Sequence, residues 1–523
     1  VRHVVVGVSQ AVLGACETER AVLSRSKSFF GNAFWSFALQ MVNILVAFIV
    51  PRVVISCYGS DVNGLVTSLT QFVSYISLVE AGISGAAVFA LYKPLASKDY
   101  GAVSVVVSAA KRFYYRSGWI FVALIAVLAF VYPVFVDCGS MGNIQVVLLV
   151  VSLGSMGVLD FFTLAKYRVL LTASQRNWVI QIATILYKVL YACVIAVLAF
   201  LGFSVEIVYI AAIAPVIIRS VILSLYAKSK FKQVDFSADD KGYRLDQRWN
   251  AFYLQVLGAV QSGAPVIVAT FVLQDLALVS VFSIYLLVAN GIQSVCMSFI
   301  NGTQASFGDV IARGQTETLQ RTFKELQTIS YTCNALICGA ALALINPFVG
   351  LYTSGITELN YVYPAVGFLA VLNVFLYHLK TPQGLLVVAS GMYRETRMQT
   401  TIQTLILLSG SVVGGLVAGM PGILVGCCLS NLYRDLDLLV FIPKVLTKTP
   451  IRDTAKRMLV SVVECALIAA PFIAVGYSGG SWADWLIAAA AMLAWGLLVC
   501  VSCCWLAERE QFKSLMTRLR KML

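Results

Sequence analysis

Charge is scarce in this sequence. Asp, Glu, Lys and Arg make up 12% of its 523 residues, where a soluble domain carries roughly 25%. Acidic residues are the scarcer kind, 25 against 38 basic, and the formal net charge is +13. So deep a shortage excludes a soluble multidomain enzyme and a disordered chain. Histidine occurs twice, as His3 and His378, which excludes a His/Cys zinc constellation. The thirteen cysteines lie mostly inside apolar runs, such as Cys427-Cys428 and Cys503-Cys504. They read as small apolar side chains in packed or lipid-facing helices, not as a disulfide framework. No metal or cofactor is expected, and no catalytic residue.

Apolar sequence in long runs is what the chain has in abundance. Hydrophobic residues are 59% of it. The runs are too long and continuous for β-barrel strands, so the expected fold is an all-α polytopic membrane protein. A spanning helix takes about 20 apolar residues. Fourteen such runs centre on 31–51, 63–89, 118–136, 145–165, 178–200, 205–226, 250–273, 277–300, 327–351, 360–379, 398–418, 422–443, 458–477 and 482–506.

Charges between the runs test that map. With the N-terminus inside, 34 of the 38 Lys and Arg fall in inside segments and one, Arg52, outside. Lys188, Arg219 and Arg434 lie within spans. A missed helix would scramble this positive-inside bias downstream. The expected location is a cytoplasmic membrane, with both termini cytoplasmic. The positive charge then faces an anionic leaflet and needs no nucleic acid. Val4 to Cys16 ends in a Leu-Gly-Ala-Cys box like that of a lipoprotein. Cleavage there would invert the charge map and is not expected. The outside loops are short and the longest inside loop, about 227–249, is small and polar, which leaves no room for an extramembrane catalytic core.

Four anchors recur at a nearly constant offset. Asn32-Ala33-Phe34 returns as Asn250-Ala251-Phe252 and Asp61 as Asp275. Leu170-Leu171-Thr172-Ala173-Ser174 returns as Leu386-Val387-Val388-Ala389-Ser390, and Arg219 as Arg434. The offsets run from 214 to 218. Two parallel six-helix repeats follow, around a central cavity, with two further helices at the end. The expected parts are a cytoplasmic segment 1–28, a first lobe 29–226, a linker 227–249, a second lobe 250–443, and helices 13 and 14 with a basic tail over 444–523.

Ionisable groups inside a bilayer are expensive and usually serve a cavity. Lys188 lies mid-span among Ile185-Leu186-Tyr187 and Val189-Leu190-Tyr191. It reads as a cavity cation or, structurally, as the partner of an acid such as Asp160. Arg219 reads as a cavity cation or as a side chain snorkelling to the interface. Arg434 has Asp437 at i+3, so an internal ion pair rivals a cavity role. Arg52 follows Pro51 at the outer end of the first span, where it reads as a gate cation or an anchor. The candidate substrate-binding residues are thus Arg52, Lys188, Arg219 and Arg434. Glu80, followed by Ala81-Gly82-Ile83-Ser84-Gly85, and Asp160 are candidates for coupling or gating, the first rivalled by a structural role and the second by a pair with Lys166. His378 reads as a satisfied interfacial residue. Cations outnumber acids in this set, which suits an anionic cargo.

Tyr58-Gly59-Ser60-Asp61-Val62-Asn63-Gly64-Leu65, Ser77-Leu78-Val79-Glu80-Ala81-Gly82 and Ala90-Leu91-Tyr92-Lys93-Pro94-Leu95 closely resemble the first two helices of bacterial polysaccharide flippases. Those belong to the multidrug/oligosaccharidyl-lipid/polysaccharide exporter superfamily. Arg176-Asn177-Trp178 and Tyr433-Arg434 also look like family positions. The resemblance implies two six-helix lobes working by alternating access. It implies transfer of undecaprenyl-pyrophosphate-linked oligosaccharide from the inner to the outer leaflet for O-antigen, capsule or exopolysaccharide assembly. It further implies H+ or Na+ as coupling ion, and the lipid bilayer and polysaccharide polymerase machinery as partners. Fourteen spans match lipid II flippases; many members of the superfamily have twelve. The rival expectations are a drug or cation antiporter of the same superfamily, a polysaccharide polymerase or ligase, and a non-transporting assembly scaffold.

Overall fold

The bilayer core offers no water to a peptide group, so a chain inside it must close its hydrogen bonds within each segment. A computed structural model of the chain meets that demand with helices. It describes residues 31–509 apart from 33, 81–82, 139–140, 239–248, 302 and 478. No strand occurs among the described residues. The expectations for residues 1–28, for 239–248 of the linker and for the tail beyond 509 lie outside them.

Helix α1 (Phe34–Tyr58) precedes α2 (Ser60–Ile76), which tightens into a 3-10 turn over Ser77–Glu80. Then come α3 (Ile83–Ala96), α4 (Tyr100–Phe135) and α5 (Asn143–Leu159). A π turn (Asp160–Leu164) joins α5 to α6 (Ala165–Ala173), followed by α7 (Asn177–Phe200), α8 (Val205–Ala211) and α9 (Ala214–Lys230). The second half holds α10 (Trp249–Leu273), α11 (Leu276–Asn301), α12 (Gln304–Ala312), α13 (Thr316–Tyr352), α14 (Pro364–Leu379), α15 (Thr381–Ser390) and α16 (Arg397–Ile442). Last come α17 (Ile451–Val475) and α18 (Trp482–Ala507).

Thirteen of the described helical stretches are long and apolar enough to cross a membrane. One of them, α16, is two helices joined at a kink, with Gly419 at φ 61° and Pro421 just beyond it. Counting its limbs separately gives fourteen crossings, and each overlaps one of the fourteen apolar runs. The chain is a multi-pass integral membrane protein. In α16 the two limbs meet through glycine: a Cβ added at Gly422 would strike the Gly414 carbonyl, and one at Gly426 the Gly410–Ser411 backbone. Small residues four apart permit that approach.

Two expectations change. Arg52 does not sit in an outside loop. The apolar run continues through Val53, Val54 and Ile55, all buried, and α1 carries on to Tyr58. Arg52 is a half-buried helical residue. Nor is 63–89 one α-helix throughout: α2 tightens into the 3-10 turn over Ser77–Glu80.

The repeat is written into the backbone. Left-handed residues stand at Gly59 and Gln274, at Lys98 and Gly314, at Gln175 and Gly391, and at Gly202 and Gly419. The four offsets are 215, 216, 216 and 217 residues. A non-glycine residue adopts this conformation uncommonly, so Lys98, Gln175 and Gln274 mark positions where topology overrides preference.

Packing separates two compact units, one of residues 1–53, 76–130 and 144–248, the other of 54–75, 131–143 and 249–523. The units cut across the repeat because most of α2 is stitched into the second. Gly64 lets α2 approach the Leu276 carbonyl. Asn63 donates to Ser280 Oγ at 2.8 Å and Tyr75 to Val260 O at 2.7 Å. Thr270 and Tyr132 both donate to Ser68 Oγ, at 2.8 and 2.9 Å. In the same unit α17 and α18 dock on α13, where Leu344, Ile468 and Met492 share one apolar cluster.

Gly422→Ala should destabilise the protein by about 1–3 kcal/mol through overpacking, read as a lower unfolding temperature in detergent. Gly258→Ala has open space around the new Cβ and should leave that temperature unchanged or raise it. Equal behaviour of the two variants would contradict the α16 hairpin.

Candidate functional site

The intramembrane charges of the first unit form one connected group. Asp160 opens the π turn after α5. The wider turn also lets Thr163 Oγ1 reach both Leu159 O, at 2.5 Å, and Ser220 Oγ of α9, at 2.8 Å. That contact brings Arg219, the neighbour of Ser220, into a hydrogen-bonded ion pair with Asp160. Arg168 of α6 lies between two acids, 3.6 Å from Asp160 and 3.7 Å from Glu80. The Arg219 guanidinium also lies over the Tyr187 ring of α7, 4.6 Å from its centroid, close enough for a cation–π contact.

Lys188 is next to that tyrosine. Its Nζ stands 5.8 Å from the Tyr187 centroid. Among the described residues no carboxylate comes within ion-pair distance of it. The charge that acts on it is the like charge of Arg219. The structure therefore corrects three readings. Asp160 pairs with Arg219 and Arg168, not with Lys166, whose Nζ lies over the Tyr167 ring at 5.1 Å. Lys188 does not pair with Asp160. Arg219 does not snorkel outward; its side chain is 12% exposed and tied to an acid. The cluster holds three cations, Arg168, Arg219 and Lys188, against two carboxylates.

Arg168 is a residue that sequence reasoning passed over. It counts there as an inside-loop cation, yet the helix continues through α6 and carries it to the acids. Its signal is the spacing of eight residues from Asp160, about two turns of helix.

In the second unit Arg434 bonds to Asp437 at 2.6 Å, both mostly buried. A second pair sits beside them. Lys380, 9% exposed, donates to Asn431 Oδ1 at 2.5 Å. Its charge acts on Asp435, which is 3% exposed and has neither oxygen hydrogen-bonded. Asn431 in turn donates to Asn373 Oδ1 at 2.8 Å. His378 is buried at 2% exposure, and among the described residues neither ring nitrogen has a hydrogen-bond partner, so it is not the satisfied residue expected. Among the described residues no group of three or more His, Cys, Asp and Glu could hold a metal ion.

A double-mutant cycle tests the Asp160–Arg219 pair. Arg219→Gln alone should destabilise, because it leaves a carboxylate short of a partner in a poorly solvated place. Adding Asp160→Asn should recover about 0.5–3 kcal/mol of coupling, measured by unfolding in detergent. Strictly additive losses would contradict the pair.

No protein-family sequence model matches the chain, and no curated protein sequence matches it. Solved structures do. The lipid II flippase MurJ, in an inward closed conformation, aligns with a TM-score of 0.64 at 14% identity, over 92% of this chain and 99% of that one. A multidrug resistance MATE family transporter of the MOP superfamily, inward-facing, aligns with a TM-score of 0.59 at 14% identity, over 81% of this chain and 99% of that one. An outward-facing structure of such a transporter aligns with a TM-score of 0.54 at 14% identity, over 82% and 96%. The chain has the polytopic helical fold shared by the MurJ lipid II flippase and the MATE transporters of the MOP superfamily.

Proposed function

We propose that this protein is an alternating-access transporter that flips a polyprenyl-pyrophosphate-linked oligosaccharide across the cytoplasmic membrane for surface polysaccharide assembly. The observation that carries this reading is Lys188. It is a cation in a membrane-crossing helix, beside a cluster whose two acids are already matched by arginines. Keeping an uncompensated ammonium at that depth is expensive, and a pyrophosphate is a ligand that would offset the expense.

Arg219 and Arg434 have protein partners, so they support the site by fixing helices and by adding positive field. Lys188 is the residue most directly offered to substrate. The lipid tail stays in the bilayer while the sugar–pyrophosphate head follows the cations. Rocking of one half against the other exposes the head to each leaflet in turn, as in transporters built from parallel repeats. Glu80 and Asp160 remain the candidates for coupling to H+ or Na+: a proton or cation arriving at either acid would weaken its hold on Arg168. The same pairing argues against an exporter of cationic drugs, since both acids are already engaged by arginine. The fold of the lipid II flippase supports a lipid-linked cargo, and the fold of the MATE transporters supports alternating access.

Lys188→Gln should reduce surface polysaccharide at least tenfold with unchanged membrane abundance, whereas Lys188→Arg keeps the charge and should retain a measurable fraction. Full export by Lys188→Gln would remove Lys188 from the mechanism.

A further inference from the structure

Helix α4 carries a feature that the transport reading does not use. Arg112, Tyr115, Arg116 and Trp119 are all exposed. Their spacing of i, i+3, i+4 and i+7 puts them on one stripe of the helix. Tyr114, Ser117 and Gly118, on the other side, are buried.

A short segment folds back against this stripe. The Asp235 amide donates to Ser104 Oγ at 2.9 Å. Lys111 Nζ donates to Phe236 O at 3.2 Å and to Ser237 Oγ at 3.3 Å. The Phe236 ring stands edge-on to Tyr167, with centroids 5.1 Å apart. Between segment and stripe lies a cavity of about 370 Å³, lined by Lys111, Arg112, Tyr115, Arg116, Trp119 and Ser237 among others. Three cations line it, Lys111, Arg112 and Arg116, and Lys166 stands within range of the like charges of Lys111 and Lys228. Among the described residues of the folded-back segment the carboxylate is Asp235, which accepts from the Ser237 amide at 2.9 Å.

The depth of the pocket follows from the helix itself. From Trp119 to Phe135 α4 has 17 uncharged, almost wholly apolar residues, roughly 25 Å of helix, close to the thickness of the hydrocarbon core. Trp119 and Tyr115 therefore stand at the headgroup level that indole and phenol rings favour. Arg116 and Arg112 stand just beyond, at the depth of lipid phosphates. Scattered arginines at a helix end would satisfy the charge bias alone; a walled cavity whose second wall is pinned by Lys111 goes further.

We propose that this pocket binds the phosphate-bearing headgroup of an anionic membrane phospholipid, with Arg112 and Arg116 on the phosphate and Trp119 against the glycerol end. The proposal does not depend on what the protein transports. To test it, the full-length protein is reconstituted in phosphatidylcholine vesicles with rising fractions of brominated phosphatidylglycerol or brominated phosphatidylcholine. Trp119 emission is isolated by subtracting the Trp119→Phe variant. Quenching should set in at about a tenfold lower fraction of the anionic lipid, roughly what one or two arginines contribute at a charged membrane surface. The Arg112→Gln/Arg116→Gln variant keeps good helix formers and leaves Lys111 holding the segment. It should lose the preference while still being quenched by brominated phosphatidylcholine. Equal quenching by the two lipids, or a preference that survives in the variant, overturns the proposal. Cancellation of the preference by millimolar inorganic phosphate, at an ionic strength matched with chloride, overturns the lipid assignment in favour of a phosphate taken from solution.

Discussion

The first unit depends on the Asp160–Arg219 ion pair. A carboxylate and a guanidinium taken into a bilayer must find each other, because neither the lipid nor the helix backbone can replace the water they lose. The π turn exists where this demand is met. It opens the helix at Asp160, lets Thr163 reach Ser220, and so brings α9 to α5. Arg168 and Glu80 extend the pair into a chain, and Tyr187 receives the outer face of Arg219. What remains after this mutual neutralisation is Lys188, and the functional reading rests on that remainder.

The second half meets the same demand with other partners. Arg434 closes on Asp437 one turn along its own helix. Lys380 is held by Asn431, which donates in turn to Asn373, and Asp435 lies buried within reach of the lysine's charge. The two halves therefore share a frame and differ in how their charges are met.

Much of this was legible in the sequence, for a physical reason. The span count follows from hydrophobic length, and the bilayer enforces that length strictly; the charge bias then checks the count independently. The repeat was legible through Asn32, Asp61, Leu170–Ser174 and Arg219, and the left-handed backbone positions carry the same offset. The ends of helices were not legible, because apolarity stops at the interface while the helix goes on. Arg168 and Lys380 were therefore sorted as loop cations, and Arg52 as an outside one, although all three lie in or directly beside helices. The joining of most of α2 to the second unit was not legible either, since it rests on tertiary bonds such as Asn63 to Ser280.

The central claim is that the cationic remainder serves a lipid-linked anionic cargo. The most direct measurement is the fate of that cargo in cells from which the gene has been deleted. The account predicts that lipid-linked oligosaccharide accumulates on the inner leaflet while surface polysaccharide disappears. Persistence of the surface polymer, together with new sensitivity to cationic dyes, would contradict it and put a cation exporter in its place.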